Sequence, residues 1–154
     1  MSPDCEINYN RWLAGNGKVI ELKSTQEIDI DRDTIIIDAL FGSGVNRPLT
    51  GFVAEVVKKI NALPNQVIAV DIPSGLMGED NSSNDRTAII QADYTFTFQF
   101  PKIAFMLPEN GLYVGKWTVL DIGLHEDFIK EKDTHYYYLT KDFVSGLLPR
   151  PDKF

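Results

Sequence analysis

The chain has 154 residues, 44% of them hydrophobic, with a net charge of -7 and an isoelectric point near 4.7. This suits one globular domain with a real core and argues against non-specific nucleic-acid binding, which needs a basic surface, while leaving room for a small anionic ligand held by local Arg or Lys. Cys5 is the single cysteine, no charged-then-apolar leader opens the chain, and no run approaches the ~20 apolar residues of a membrane span, so a reduced, cytoplasmic setting without membrane or nucleic-acid partners is expected.

Residues 5–14 read as a short helix, with Pro3-Asp4 as its start signal and Gly15-Asn16-Gly17 as its stop. Residues 19–22 look like a short strand. Residues 34–40 carry the run Ile35-Ile36-Ile37, which suits a strand buried on both faces of a parallel sheet. Residues 52–62 set Phe52, Val53, Val56, Val57 and Ile60 along one helical stripe. Further strands are expected at 67–71, 94–100 and 117–122. Five strands with helices between the early ones predict an α/β fold, a three-layer Rossmann-like sandwich with a mainly parallel sheet.

Two finer expectations accompany that architecture. Phe96, Phe98 and Phe100 alternate with polar residues, the pattern of one buried face, and are assigned to the core. Asn110-Gly111 and Gly115 predict a hairpin-like turn into the last strand. Beyond Leu124 the chain becomes charged, HEDFIKEKD, with His125 and His135 read as solvated surface. Tyr136-Tyr137-Tyr138-Leu139 and the Pro-rich LLPRPDKF follow, and this end reads as a linker.

The chemistry gathers at two strand ends. DALFGSGVNRP, residues 38–48, and VDIPSGL, residues 70–76, each carry an aspartate into a loop of Gly, Pro and Ser. In an open α/β sheet, ligands bind beyond the carboxyl ends of the strands. A lone strand-end Asp commonly caps the following turn; two on neighbouring strands, Asp38 and Asp71, favour a shared ligand. Gly42, Ser43 and Gly44 let the backbone turn sharply and present N–H groups to an anion. Alone they make a tight turn, since Arg47 stands where a GxGxxG fingerprint needs its third glycine. Val45, Asn46, Arg47 and Pro48 shift the balance toward phosphate or ribose contact: Arg47 can pair bidentately with phosphate, Asn46 donates and accepts, and Pro48 stiffens the loop. Lys102 closes the 94–100 strand; it fits an exposed strand-end cation, a partner for a substrate phosphate or a support for Asp71.

These two stretches, with FPKIAF at 100–105 and NGLYVGKWTVLDIGL at 110–124, resemble the NAD(P)HX epimerases of the YjeF N-terminal family, which interconvert the C6 epimers of hydrated NADH and NADPH. The resemblance implies an epimerase domain over residues 1–124, with 125–154 as an extension or linker toward a dehydratase domain. It assigns Asp38 and Ser74 to a potassium ion, a role in keeping with hard oxygen ligands. It assigns Asp71 to substrate, and Asp71 is also the acid/base chosen for the reaction. The expected partners are NADHX or NADPHX, a second copy of the chain and a fused or separate NAD(P)HX dehydratase. The family's first loop, of the NNGGDG kind, does not occur in the sequence, so the chain reads as an internal fragment of the domain. Two other functions compete: a non-catalytic nucleotide-binding or dimerisation scaffold of the same fold, and a redox dehydrogenase, which the incomplete glycine fingerprint disfavours.

Overall fold

The structure, a computed structural model, describes residues 2–147. Most of the Pro-rich end, and with it the linker expectation, lies outside the described residues. Residues up to Leu120 form one compact unit and those from Asp121 onward a second.

The first unit opens with helix α1, Pro3–Ala14. Ser2 caps it by accepting the N–H of Cys5, Pro3 stands in the first turn, where its missing N–H is harmless, and Asp4 and Glu6 complement the positive end of the helix dipole. After the helix, the Trp12 indole folds back to donate to the Lys18 carbonyl, 3.1 Å away, over Gly17, where a Cβ would collide with the ring. Residues 19–22, expected as a strand, are not one. They are exposed, with Ile20 63% accessible, and β-branched residues favour a strand through packing on a pleated, half-buried surface that this segment does not meet.

The sheet holds β1, Ile36–Asp38, β2, Val67–Val70, β3, Tyr94–Phe98, and β4, Lys116–Leu120. All neighbours are parallel, in the order β1-β2-β3-β4. Helix α2, Gly51–Asn61, joins β1 to β2. Its buried residues are Ala54, Val56 and Val57, while Phe52 is exposed, so the buried stripe is rotated from the expected one. Val57 packs with Val67, Ala69, Ile90 and Ala92, with Ile36, Leu49 and Ile60 around them. Full burial of one such side chain stabilises by about 1.5–3 kcal/mol. A second cluster joins Ile72, Leu76, Ile89, Ala104, Phe105, Tyr113 and Val114 to Trp117. Together these cover the inner face of the sheet beneath the loops that follow β2 and β3.

The alternation along β3 is real, but its faces are reversed. Thr95 and Thr97 are fully buried, whereas Phe96 is 37% and Phe100 48% exposed. The hydroxyls have inward partners: Thr95 donates to the Val114 carbonyl at 2.7 Å, and Thr97 reaches Asp71. A period of two fixes which residues share a face without saying which face is covered. Ile37, Ile68, Tyr94 and Phe96 consequently share an outer, apolar face through the strand register, with Ile37 58% exposed.

The expected turn at 110–115 is instead a 3-10 segment, Pro108–Asn110, followed by the short helix α3, Gly111–Val114. Gly115, at φ +58°, then leads into β4, parallel to β3. A Cβ there would run into the carbonyl oxygens of Ala92 and Asp93.

In the second unit, α4, Glu126–Lys130, and α5, Lys141–Leu147, are short. Tyr136, Tyr137 and Tyr138 are exposed, and His125 and His135 lie on the surface as expected. No described helix is long and apolar enough to cross a membrane.

Candidate functional site

The carboxyl ends of β1 and β2 bring Asp38 and Asp71 to one loop. Asp38 is the last residue of β1 and 3% exposed. Its Oδ2 accepts the Ser74 N–H at 2.7 Å and its Oδ1 accepts the Ser74 hydroxyl at 2.6 Å. Ser74, itself fully buried, accepts the Phe41 N–H on Oγ at 3.0 Å. The aspartate thus ties the end of β1 to the loop after β2, and the serine ties that loop back to the start of the glycine turn. Among the described residues no cation pairs with Asp38. Burial pushes its carboxyl above the ordinary value, outweighing the hydrogen bonds from Ser74 and Leu40 that pull it down.

Asp71 follows β2 and turns into the left-handed region at φ +67°. Its N–H still donates to the Phe96 carbonyl, 2.8 Å away, so the ladder is kept while the side chain swings toward the end of β3. There Oδ1 meets the Lys102 ammonium at 2.8 Å, the Phe98 N–H at 3.2 Å and the Thr97 hydroxyl at 3.4 Å. Oδ2 faces the glycine loop: a Cβ on Gly42 would stand 3.7 Å from it. Burial raises the Asp71 carboxyl, but the hydrogen bond and charge of Lys102, with the N–H groups of Phe98 and Ser43, together outweigh it and hold the group below its ordinary value.

Lys102 is not an exposed strand-end cation. Its side chain is 18% accessible, and its ammonium also donates to the carbonyls of Phe98 and Phe100, each at 3.4 Å. Three acceptors match the three protons of an ammonium. Of the roles open to it in the sequence, support for Asp71 is the one this geometry provides.

Beside the two acids, Gly42, Gly44, Val45, Asn46, Arg47 and Pro48 line a cavity of about 900 Å³ that continues along Leu49 and Thr50 to Val53. Asn46 and Arg47 are exposed. The loop leads into the N-terminus of α2, whose cap makes no side-chain hydrogen bond and whose first turn carries no acid, so the N–H groups there suit a negatively charged ligand. Of the residues expected from the sequence, Gly42 and Gly44 to Pro48 line this cavity, while Asp38, Ser43, Asp71, Ser74 and Lys102 lie outside its lining, tied to the loop through Phe41 and Gly42. Thr97 and the N–H groups of Phe41 and Phe98 are additions to the expected set, whereas the Ser43 N–H, expected to face an anion, is turned here to the Asp71 carboxylate. The threonines between aromatics in YTFTF were the one available signal, because a hydroxyl on a covered strand face must find a partner.

Among the described residues no three of His, Cys, Asp and Glu come together as a metal-binding group. Asp38 and Ser74 set a buried carboxylate beside a hydroxyl, with neutral hydrogen-bond donors alone around the acid; carboxylate and hydroxyl oxygens are the donor types that a hard cation takes.

The family description "YjeF-related protein N-terminus" matches residues 1–104. Among curated relatives, the chain is similar to a NAD(P)H-hydrate epimerase of Lentilactobacillus buchneri (strain NRRL B-30929), 37% identical over 97 residues, 63% of this chain and 44% of that protein. A NAD(P)H-hydrate epimerase of Oenococcus oeni (strain ATCC BAA-331 / PSU-1) is 39% identical over 64% of this chain and 46% of its own length. The bifunctional NAD(P)H-hydrate repair enzyme Nnr of Thermofilum pendens (strain DSM 2475 / Hrk 5) is 42% identical over 77% of this chain and 22% of its own. The matched part of the chain thus spans less than half the length of these relatives.

Proposed function

The chain belongs to the YjeF-related N-terminal family, and from that premise we propose that it acts in NAD(P)H-hydrate epimerisation, interconverting the C6 epimers of hydrated NADH or NADPH. The observation that carries this reading is the convergence of two carboxylates in contrasting surroundings on one glycine loop: Asp38 through Ser74 and Phe41, and Asp71 through Gly42. Open α/β sheets bind nucleotide-like ligands at such an edge.

In this reading the loop of residues 42–48 and the start of α2 receive the phosphates, with Arg47 free to swing onto them. Asp71, with one oxygen turned to the loop, is the group that moves a proton at C6. Asp38 and Ser74 hold potassium, which when bound supplies the positive charge that the buried Asp38 otherwise lacks. A fused or separate dehydratase that consumes one epimer is the natural partner, and the cytoplasm is the compartment in which this cofactor pool is repaired.

The test starts from one pure NADHX epimer with potassium present and follows epimer exchange by chromatography for the chain, its Asp71→Asn variant and buffer. Exchange above buffer that vanishes in the variant is the expected result; equal rates in all three would sink the reading. The open apolar face of the sheet, with Ile37 and Phe96 exposed, favours a second reading, a dimerisation scaffold that binds nucleotide without turning it over. Sedimentation with and without nucleotide, alongside the exchange assay, separates the two.

A further inference from the structure

The way Lys102 grips Asp71 bears on the order of the chemical steps. All of the described contacts to the Asp71 carboxylate come from donors: an ammonium, a backbone N–H and a hydroxyl on Oδ1, with the Ser43 N–H adding to them. A protonated carboxylic acid needs an acceptor for its own hydrogen, which the ammonium and the N–H groups are not; the Thr97 hydroxyl, 3.4 Å from Oδ1 and equally near the Phe100 carbonyl, is the one described partner able both to donate and to accept. The carboxylate is also fixed in rotation, since Oδ1 is committed to Lys102 and β3 while Oδ2 is left against Gly42. Lys102 is the charged side chain in contact with it, and its three protons already have acceptors.

Resting on the epimerase reading above, we propose that Lys102 is a positioning residue that keeps Asp71 a resting base, so that epimerisation begins with removal of the proton from the C6 hydroxyl and proceeds by opening the ring at the C6–N1 bond. Asp71 Oδ2 takes the hydroxyl proton, the oxygen pair left behind forms the C6 carbonyl, and the electrons of the C6–N1 bond move onto N1. The same proton passes from Asp71 to N1. Rotation about C5–C6 presents the other face of the aldehyde, and reclosure runs the steps in reverse. Oxidation state is unchanged, no co-reactant enters, and the C6 oxygen never leaves. The alternative, loss of water from C6, needs a proton donor at the outset and takes its returning oxygen from solvent.

The difference can be read in water enriched in oxygen-18. One pure NADHX epimer is incubated with the chain, with Lys102→Met, with Lys102→Arg and with buffer, and the inverted epimer is analysed by mass at early times. The expected product of the unaltered chain retains its original oxygen. Lys102→Met is expected to lower kcat by about tenfold or more with KM changed little, and to move the acid limb of the rate upward in pH because the base is no longer held ionised. Lys102→Arg, which keeps the charge, is expected to recover most of kcat and guards against a folding artefact. Label appearing in step with inversion overturns the ring-opening order while leaving the epimerase reading intact. A Lys102→Met variant with raised KM and normal kcat overturns the positioning role, since the lysine would then be a substrate contact. Exchange no faster than buffer in the unaltered chain defeats the epimerase reading and the proposal with it.

Discussion

Asp38 and Asp71 are the same residue at the ends of adjacent parallel strands, yet their surroundings push them in opposite directions. Asp38 is sealed in with a serine and backbone N–H groups, and burial makes its negative charge hard to hold. Asp71 is less enclosed and faces a lysine, which makes its negative charge easy to hold. One acid calls for a positive charge; the other already has one. Pairs of carboxylates whose environments separate them in this way commonly divide the work of a site, and here the division follows from one element: β3 supplies Phe98 and leads to Lys102 beside Asp71, while Asp38, a strand further away on β1, receives nothing charged from it.

Substitutions at either acid separate the two roles. The largest expected effect is on the Asp71 side: Asp71→Asn keeps a residue that tolerates left-handed backbone but removes the base, and epimer exchange should fall by about 10²–10⁴-fold while circular dichroism stays native. On the Asp38 side, Gly75→Ala should be the most disruptive change. Gly75 sits at φ +93°, and a Cβ would strike the Ala88 carbonyl, so the turn presenting Ser74 to Asp38 must move; urea unfolding should report a loss of about 3 kcal/mol or more. Ser74→Ala should cost about 1–3 kcal/mol by leaving a buried carboxylate oxygen and the Phe41 N–H short of partners, and should also remove any difference between potassium and sodium in thermal stability.

The smallest expected effect is on the pH dependence of stability. Asp71 has its folded pKa below the ordinary 3.8, so its contribution to stability is present above that value and is lost as pH falls through the folded pKa. Asp38 has its folded pKa above 3.8, so the folded state holds an extra proton, and stability falls as pH rises from 3.8 through the raised value. Urea midpoints measured across the acid range should therefore change with opposite sign in Asp71→Asn and Asp38→Asn relative to the unaltered chain. Parallel shifts in the two variants would contradict the contrast.

Much of this was legible in the residues. The Ile35-Ile36-Ile37 run marked β1, the apolar spacing marked α2, and the Asp-to-Gly/Pro transitions located both strand ends. What could not be read was set by contacts distant in sequence. Residues 19–22 have a strand's composition but no ladder partner among the described residues. The aromatic alternation of β3 identified a strand but not its covered face, which is decided by Val114 and Asp71 accepting the threonine hydroxyls. Lys102 fits a phosphate contact by sequence alone, whereas in the fold the carbonyls of Phe98 and Phe100 take its remaining protons. Asp38 and Ser74 are 36 residues apart, and the family resemblance, rather than any local pattern, put them together.

The left-handed turn at Asp71 also narrows the side-chain alphabet open to that position. Although Gln99 also stands at φ +59°, glycine, asparagine and aspartate take such backbone angles most readily, glycine because it has no Cβ to crowd the following carbonyl and the other two because their short polar side chains hydrogen-bond locally. Of the three, aspartate alone carries an acid, and glutamate, the obvious chemical synonym, is penalised by the backbone before its reach is even considered. Drift at this codon has two comfortable exits, asparagine and glycine, and both are chemically mute. The handedness of one residue thus tilts substitution at this position toward side chains that carry no acid.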